Sequence, residues 1–156
     1  MGQVSEIKDK LRADLTTAMK ARDQVRSGTL RMVLSAITNA EVAGKQAVVL
    51  DDDAVLGVLT SEAKKRREAA TAFDEGGRAE MADKERAELA VITEYLPEQL
   101  DSDQVATLVT ETIADLGVAD DGMKAMGRVM GALQPKVRGR ADGGAVAAEV
   151  RRQLGQ

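Results

Sequence analysis

Apolar residues recur at steps of three and four through nearly the whole chain, the spacing that gathers them on one side of a helix. Ile7, Leu11, Leu15 and Met19 step by four behind Ser5, which predicts a first helix capped by that serine. Leu30, Val33, Leu34 and Ile37 make a second stripe, expected to stop near Gly44. Asp51, Asp52 and Asp53 open a third helix, where acids serve both the cap and the helix dipole; its stripe is Val55, Leu56, Leu59, Ala63, Ala70 and Phe73. A helix over 53–74 is about 33 Å long. Gly76-Gly77 turns the chain, and Met81, Leu89, Ile92, Tyr95 and Leu96 mark a fourth helix, read as the antiparallel return arm of a hairpin.

The stretch "YLPEQLDSDQ" is the predicted boundary. Pro97 disfavours helix at Leu96, and Asp101 can cap the next helix, with Leu100 and Val105 as a staple across the cap. Val105, Leu108, Val109, Thr112 and Leu116 predict a fifth helix ended by Gly117. Met126, Val129, Met130 and Leu133 predict a sixth, ended by Pro135. Val146, Val150 and Leu154 predict a seventh beginning after Asp142. No segment alternates over a strand's length, although "QAVVL" at 46–50 is a brief extended candidate. The expected fold is all-α: an N-terminal four-helix part with a long helical hairpin over residues 1–97, then a small three-helix C-terminal domain over 98–156.

Composition narrows the chemistry. Phe73 and Tyr95 are the only aromatics, so the cores must be aliphatic. There is no Cys and no His, which removes thiolate chemistry, the commonest general base and the commonest metal ligand. No apolar run approaches the ~18 residues of a membrane span. The N-terminus "MGQVSEIKDK" has no apolar core of a signal peptide, and Met1-Gly2 is followed by Glu6 where myristoylation wants Ser or Thr. The expectation is a cytoplasmic protein without a membrane partner.

The formal net charge is −4, unevenly spread. Residues 98–121 hold seven acids and no base; residues 122–156 hold seven bases against Asp142 and Glu149. Such asymmetry suits an anionic partner. "DDDAVLGVLTSE" fails as a calcium loop, because Leu56 stands where the sharp turn needs Gly. The glycines at 127, 131, 139, 143 and 144 lack the Gly-Lys-Ser/Thr of a phosphate loop; Gly127 and Gly131 share a helical face and are read as a packing surface for another helix. "KKRRE" at 64–68 spreads around the helix, with Glu62–Arg66 and Lys64–Glu68 as neutralising pairs, and is read as a solvated face. "PKVRGR" differs. If residues 135–140 are extended, Lys136, Arg138 and Arg140 line one edge at ~6–7 Å spacing and can follow a nucleic-acid backbone, with Val137 turned inward. No carboxylate pair is singled out for acid/base work, and no catalytic residue, metal ligand or cofactor is nominated.

"TLRMVLSAITNAE" (29–41), "EAKKRRE" (62–68), "YLPEQL" (95–100) and "MKAMGRVMGALQPKVRGRADG" (123–143) resemble the signature blocks of the GatB/YqeY family, in the family's order over nearly the full chain. The resemblance implies a stand-alone YqeY-like protein. It is related to the helical tail of the GatB component of glutamyl-tRNA(Gln) amidotransferase, which helps to hold tRNA while catalysis occurs elsewhere. The resemblance therefore implies a non-catalytic tRNA-binding module, working with an amidotransferase or aminoacyl-tRNA synthetase component. The contact residues it points to are Lys136, Arg138 and Arg140, flanked by Arg128 and Lys124. Two alternatives stand beside it: a protein–protein interaction module docking a partner helix on Gly127 and Gly131, and a carbon–nitrogen ligase with glutamine as amido-N-donor.

Overall fold

The computed structural model describes residues 5–155; the Met1-Gly2 reading lies outside them. Among the described residues there are seven α-helices, one 3₁₀ turn and no strand. They are α1 (Glu6–Lys20), α2 (Gln24–Val42), α3 (Asp52–Glu75), α4 (Ala79–Thr93), α5 (Ser102–Leu116), the 3₁₀ turn Gly122–Ala125, α6 (Met126–Val137) and α7 (Gly143–Leu154). "QAVVL" is not a strand: it lies in an irregular, mostly exposed connection between α2 and α3. Contacts divide the chain into two compact units, Met1–Pro97 and Glu98–Gln156, each with its own core.

The first unit is a four-helix bundle whose core joins Leu11, Leu30, Val33, Ile37, Val55, Leu59, Ala63, Val91 and Ile92. Its caps follow the sequence. Ser5 accepts from the Lys8 N–H, Asp23 from Arg26 N–H and Asp51 from Ala54 N–H. Asp52 does something the pattern does not reveal: its carboxylate accepts from the Ser5 hydroxyl and the Ile7 N–H, tying the start of α3 to the start of α1. Those bonds, the hydroxyl's foremost, hold Asp52 below the usual carboxylate range. At the far end of α2, Glu41 accepts from Lys8 Nζ at 2.8 and 2.9 Å and from the Leu50 N–H at 3.1 Å, so one half-buried ion pair also anchors the α2–α3 connection.

The α3–α4 hairpin turns at Gly77, where φ is +73°. Near its middle the "KKRRE" reading needs correction. Glu62 is buried, and Arg66 is drawn in between helices: Nη1 lies 3.3 Å from Glu62, Nε 3.6 Å from Glu88, and Nη2 donates to Met32 Sδ. Only part of that face is solvated, because the residue positions that sit above the α2–α4 seam carry their charge inward. Burial, followed by repulsion from Glu85, pushes the Glu88 carboxyl up.

The second unit packs three helices around Val105, Val109, Ile113, Val118, Ala125, Val129, Leu133, Val137, Val146, Val150 and Leu154. Asp101 and Gln104 form a reciprocal capping box on α5, Gly117 ends it in the left-handed region at φ +66°, and Asp142 caps α7. The predicted stop at Pro135 does not occur. The helix α6 runs through it to Val137. Pro135 removes one hydrogen bond near the helix end, where few remain to lose, while continuing the turn buries Leu133 and Val137 on the inward stripe. Packing outweighs local propensity here.

Candidate nucleic-acid interface

On α6 and the turn before it, the buried positions Ala125, Val129, Leu133 and Val137 step by four. The opposite side is set by the same arithmetic. Lys124, Arg128, Gly131, Pro135 and Arg138 step by four, three, four and three, and all five are exposed. Gly131 lies in this stripe and Gly127 beside it. A Cβ added at either would meet nothing within 4 Å, so these glycines are not packed against another helix of the chain, contrary to the packing reading. Met126 and Met130 are half-buried and pack on the core.

The three cations expected on one extended edge, Lys136, Arg138 and Arg140, do not form it. Residues 135–137 are helical, Arg138 is the C-cap with φ −57° and ψ 123°, Gly139 sits at φ +73°, and Arg140 completes a turn. Lys136, Arg138 and Arg140 are therefore not the three alternate side chains of a strand. The reason is the helical continuation through Pro135, which rotates Lys136 away from the exposed stripe and towards α5, where Nζ lies 3.4 Å from Thr112 Oγ1.

Arg140 is half-buried and folded back: Nε donates to the Glu98 carbonyl at 3.1 Å and a terminal nitrogen donates to the Lys136 carbonyl at 3.2 Å. Its charge thus answers the unsatisfied carbonyl end of α6. It also borders a groove of about 370 Å³ along α5 with Asp101, Asp103 and Glu111. Arg138 is exposed but engaged within the chain. Lys124 and Arg128 are exposed, and neither makes a side-chain hydrogen bond or ion pair with the described residues.

The segment before α5 turns out to be part of this construction. Leu100 N–H donates to the Arg140 carbonyl at 2.8 Å, and Gln99 Nε2 donates to the Gly139 carbonyl at 2.7 Å. Residues 98–100 therefore pin the turn that follows α6. In the sequence they read only as a boundary with a staple at Leu100, because bonds across some forty residues leave no periodic trace. The basic end of α7 is handled locally, Arg152 pairing with Glu149, whose carboxyl is pulled down to about 2 by Arg152 and then Gln153.

A family model described as "Yqey-like protein" matches residues 8–154. Among curated proteins the chain is similar to "Altered inheritance of mitochondria protein 41, mitochondrial" of Pyrenophora tritici-repentis, 26% identical over 134 residues, covering 85% of this chain and 71% of that protein. The protein of the same description from Candida glabrata is 26% identical over 116 residues, 73% of this chain and 64% of its own length. "Uncharacterized protein C22F3.15" of Schizosaccharomyces pombe is 34% identical over 88 residues, 56% of this chain and 70% of its length.

Proposed function

Given that the chain belongs to the YqeY-like family, we propose that it is a non-catalytic helical module that binds tRNA through the exposed cationic stripe of α6. The carrying observation is that Lys124 and Arg128 stand exposed and unpaired beside Gly127 and Gly131, where no side chain holds a partner away from the helix. Such a surface suits a phosphate backbone, which is recognised by cations and close approach rather than by base edges. The resemblance to the tRNA-holding tail of the GatB component supports the same partner, as does the excess of bases over acids after residue 121. Arg140 is assigned a supporting part, since its guanidinium closes the end of α6. The proposed partners beyond tRNA are an amidotransferase or an aminoacyl-tRNA synthetase component. The proposed compartment is the cytoplasm, although two of the relatives are described as mitochondrial.

Fluorescence anisotropy with bulk tRNA across a salt series tests this. Binding at low salt that weakens steeply as salt rises is the expected result. No binding at low salt, or a flat response, would end the proposal. The open glycine face also favours a second reading, docking of a partner protein's helix. Gly131→Leu fills that face while keeping every cation, so helix docking predicts loss of the protein partner, whereas tRNA binding predicts weaker affinity with the salt slope retained.

A further inference from the structure

In the first unit, α1 and α2 border an open groove of about 280 Å³ lined by Lys8, Arg12, Leu34, Ser35, Thr38 and Asn39, of which Arg12, Ser35, Thr38 and Asn39 are exposed. We propose that it is a phosphate site, in which the Arg12 guanidinium, the Ser35 and Thr38 hydroxyls and the Asn39 amide take the oxygens of one phosphoryl group. The site lies in the other unit from the α6 stripe, and its case does not rest on that reading.

The geometry comes from the packing of two helices. On α1, Lys8 and Arg12 are one turn apart on a single face; on α2, Ser35, Thr38 and Asn39 are neighbours at steps of three and four. Lys8 is committed: it pairs with Glu41, and the two side chains are equally buried. That pair neutralises the carboxylate beside the groove. Glu41 is held below its usual range by Lys8 first and by the Leu50 N–H next, with Arg12 contributing field but no contact. The uncompensated charge at the groove is therefore the positive charge of Arg12, which makes no ion pair with the described residues.

The hydroxyls are free as well. Elsewhere in the chain helical threonines turn their hydroxyls onto the carbonyl four residues back, as Thr29, Thr60, Thr93 and Thr112 do at 2.8 Å. Thr38 makes no such bond, and the side chains of Ser35 and Asn39 likewise make none with the described residues. Three neutral polar side chains and one guanidinium thus line a single open groove with no carboxylate in its lining. A planar guanidinium with hydroxyl and amide donors matches a tetrahedral oxyanion, and the pairing with a phosphate oxygen is charge-assisted. The volume fits a phosphoryl group with a short attachment rather than a whole dinucleotide.

A phosphoryl group can arrive on a small metabolite or in a nucleic-acid backbone, and the test separates the two. Side-chain amide and guanidinium resonances of the full chain are followed by NMR during titration with inorganic phosphate, a 5′-mononucleotide and a short RNA, each against sodium chloride at equal ionic strength. Saturable shifts at Asn39 and Arg12 with phosphate are expected, absent with chloride. Arg12→Gln should weaken that binding about tenfold, as loss of a charge-assisted hydrogen bond does. Ser35→Ala with Thr38→Val should weaken it while circular dichroism stays unchanged. Saturation with the mononucleotide at the lower phosphate concentration assigns a small ligand, and with RNA a backbone contact. Shifts spread evenly over all exposed arginines and lysines, or an unchanged response in Arg12→Gln, would overturn the site and leave tRNA binding at Lys124 and Arg128 to its own assay.

Discussion

The two units use charge in opposite ways. In the first, ionised groups tie helices to one another: Lys8 to Glu41 across α1 and α2, Arg66 of α3 to Glu88 of α4, Arg26 of α2 to Glu94 beyond α4. Tyr95 adds a bond from the end of α4 to Asp14 of α1, and that bond, with Lys10 nearby, keeps Asp14 below the usual range. In the second, Arg152 pairs locally with Glu149 three residues away, and acids and bases are largely separated between α5 and the segment after it. Charge in the first unit fastens the fold. Charge in the second caps helix ends or stands exposed, as Arg140 and Arg128 respectively do. Segregated charge contributes little to stability, because exposed pairs are worth ~0–1 kcal/mol even when formed.

If that contrast is right, the largest stability losses from charge removal belong to the first unit. Arg66→Ala removes the cation of half-buried Glu88 and leaves buried Glu62 only the exposed Lys65 at 2.9 Å, and should cost about 2 kcal/mol in urea unfolding. Arg128→Ala in the second unit should cost less than about 0.5 kcal/mol by the same measurement. An equal loss in both would erase the distinction. The second unit should instead depend on its aliphatic stripe: Leu133→Ala is expected to cost about 3 kcal/mol. Next in size is the α5 cap. Asp101→Ala breaks the capping box with Gln104 and should cost about 1 kcal/mol, read as a lower Tm.

The smallest expected effect concerns pH. A carboxylate whose pKa is lower folded than unfolded stabilises above its ordinary value and loses that contribution as pH falls towards the folded value. For Glu149 the window opens near 4.5 and closes near 2. Glu149→Gln should flatten the stability profile there, whereas Glu88, whose carboxyl is pushed up, works with the opposite sign and favours the fold on the acid side. A Glu149→Gln profile parallel to the parent's would mean that the Arg152 pair forms equally in the unfolded chain.

The stripes and caps that build both units were legible in the sequence, because periodicity and N-cap chemistry act within a turn of helix. Ser5, Asp51, Asp101 and Asp142 all cap where their spacing indicated. The candidate interface was only half legible. Lys124 and Arg128 entered as flanks of the block to which the resemblance points, and the fate of Lys136 and Arg140 turned on whether Pro135 stops the helix. A local rule favoured stopping, and the buried positions Leu133 and Val137 decided otherwise. The bonds from Gln99 and Leu100 to the turn at 139–140, and the inward course of Arg66, depend on contacts between distant segments that no spacing encodes.

Free charge on α6, not tied charge at its end, is proposed to meet the partner. The decisive measurement is the salt dependence of tRNA anisotropy for Arg128→Ala beside Arg140→Ala. The expected result is that Arg128→Ala lowers the slope of log affinity against log salt by about one with stability unchanged. Arg140→Ala should keep the parent's slope while lowering stability, since its guanidinium bonds the Glu98 and Lys136 carbonyls. A slope unchanged in Arg128→Ala, or one lowered only in Arg140→Ala, would contradict this assignment.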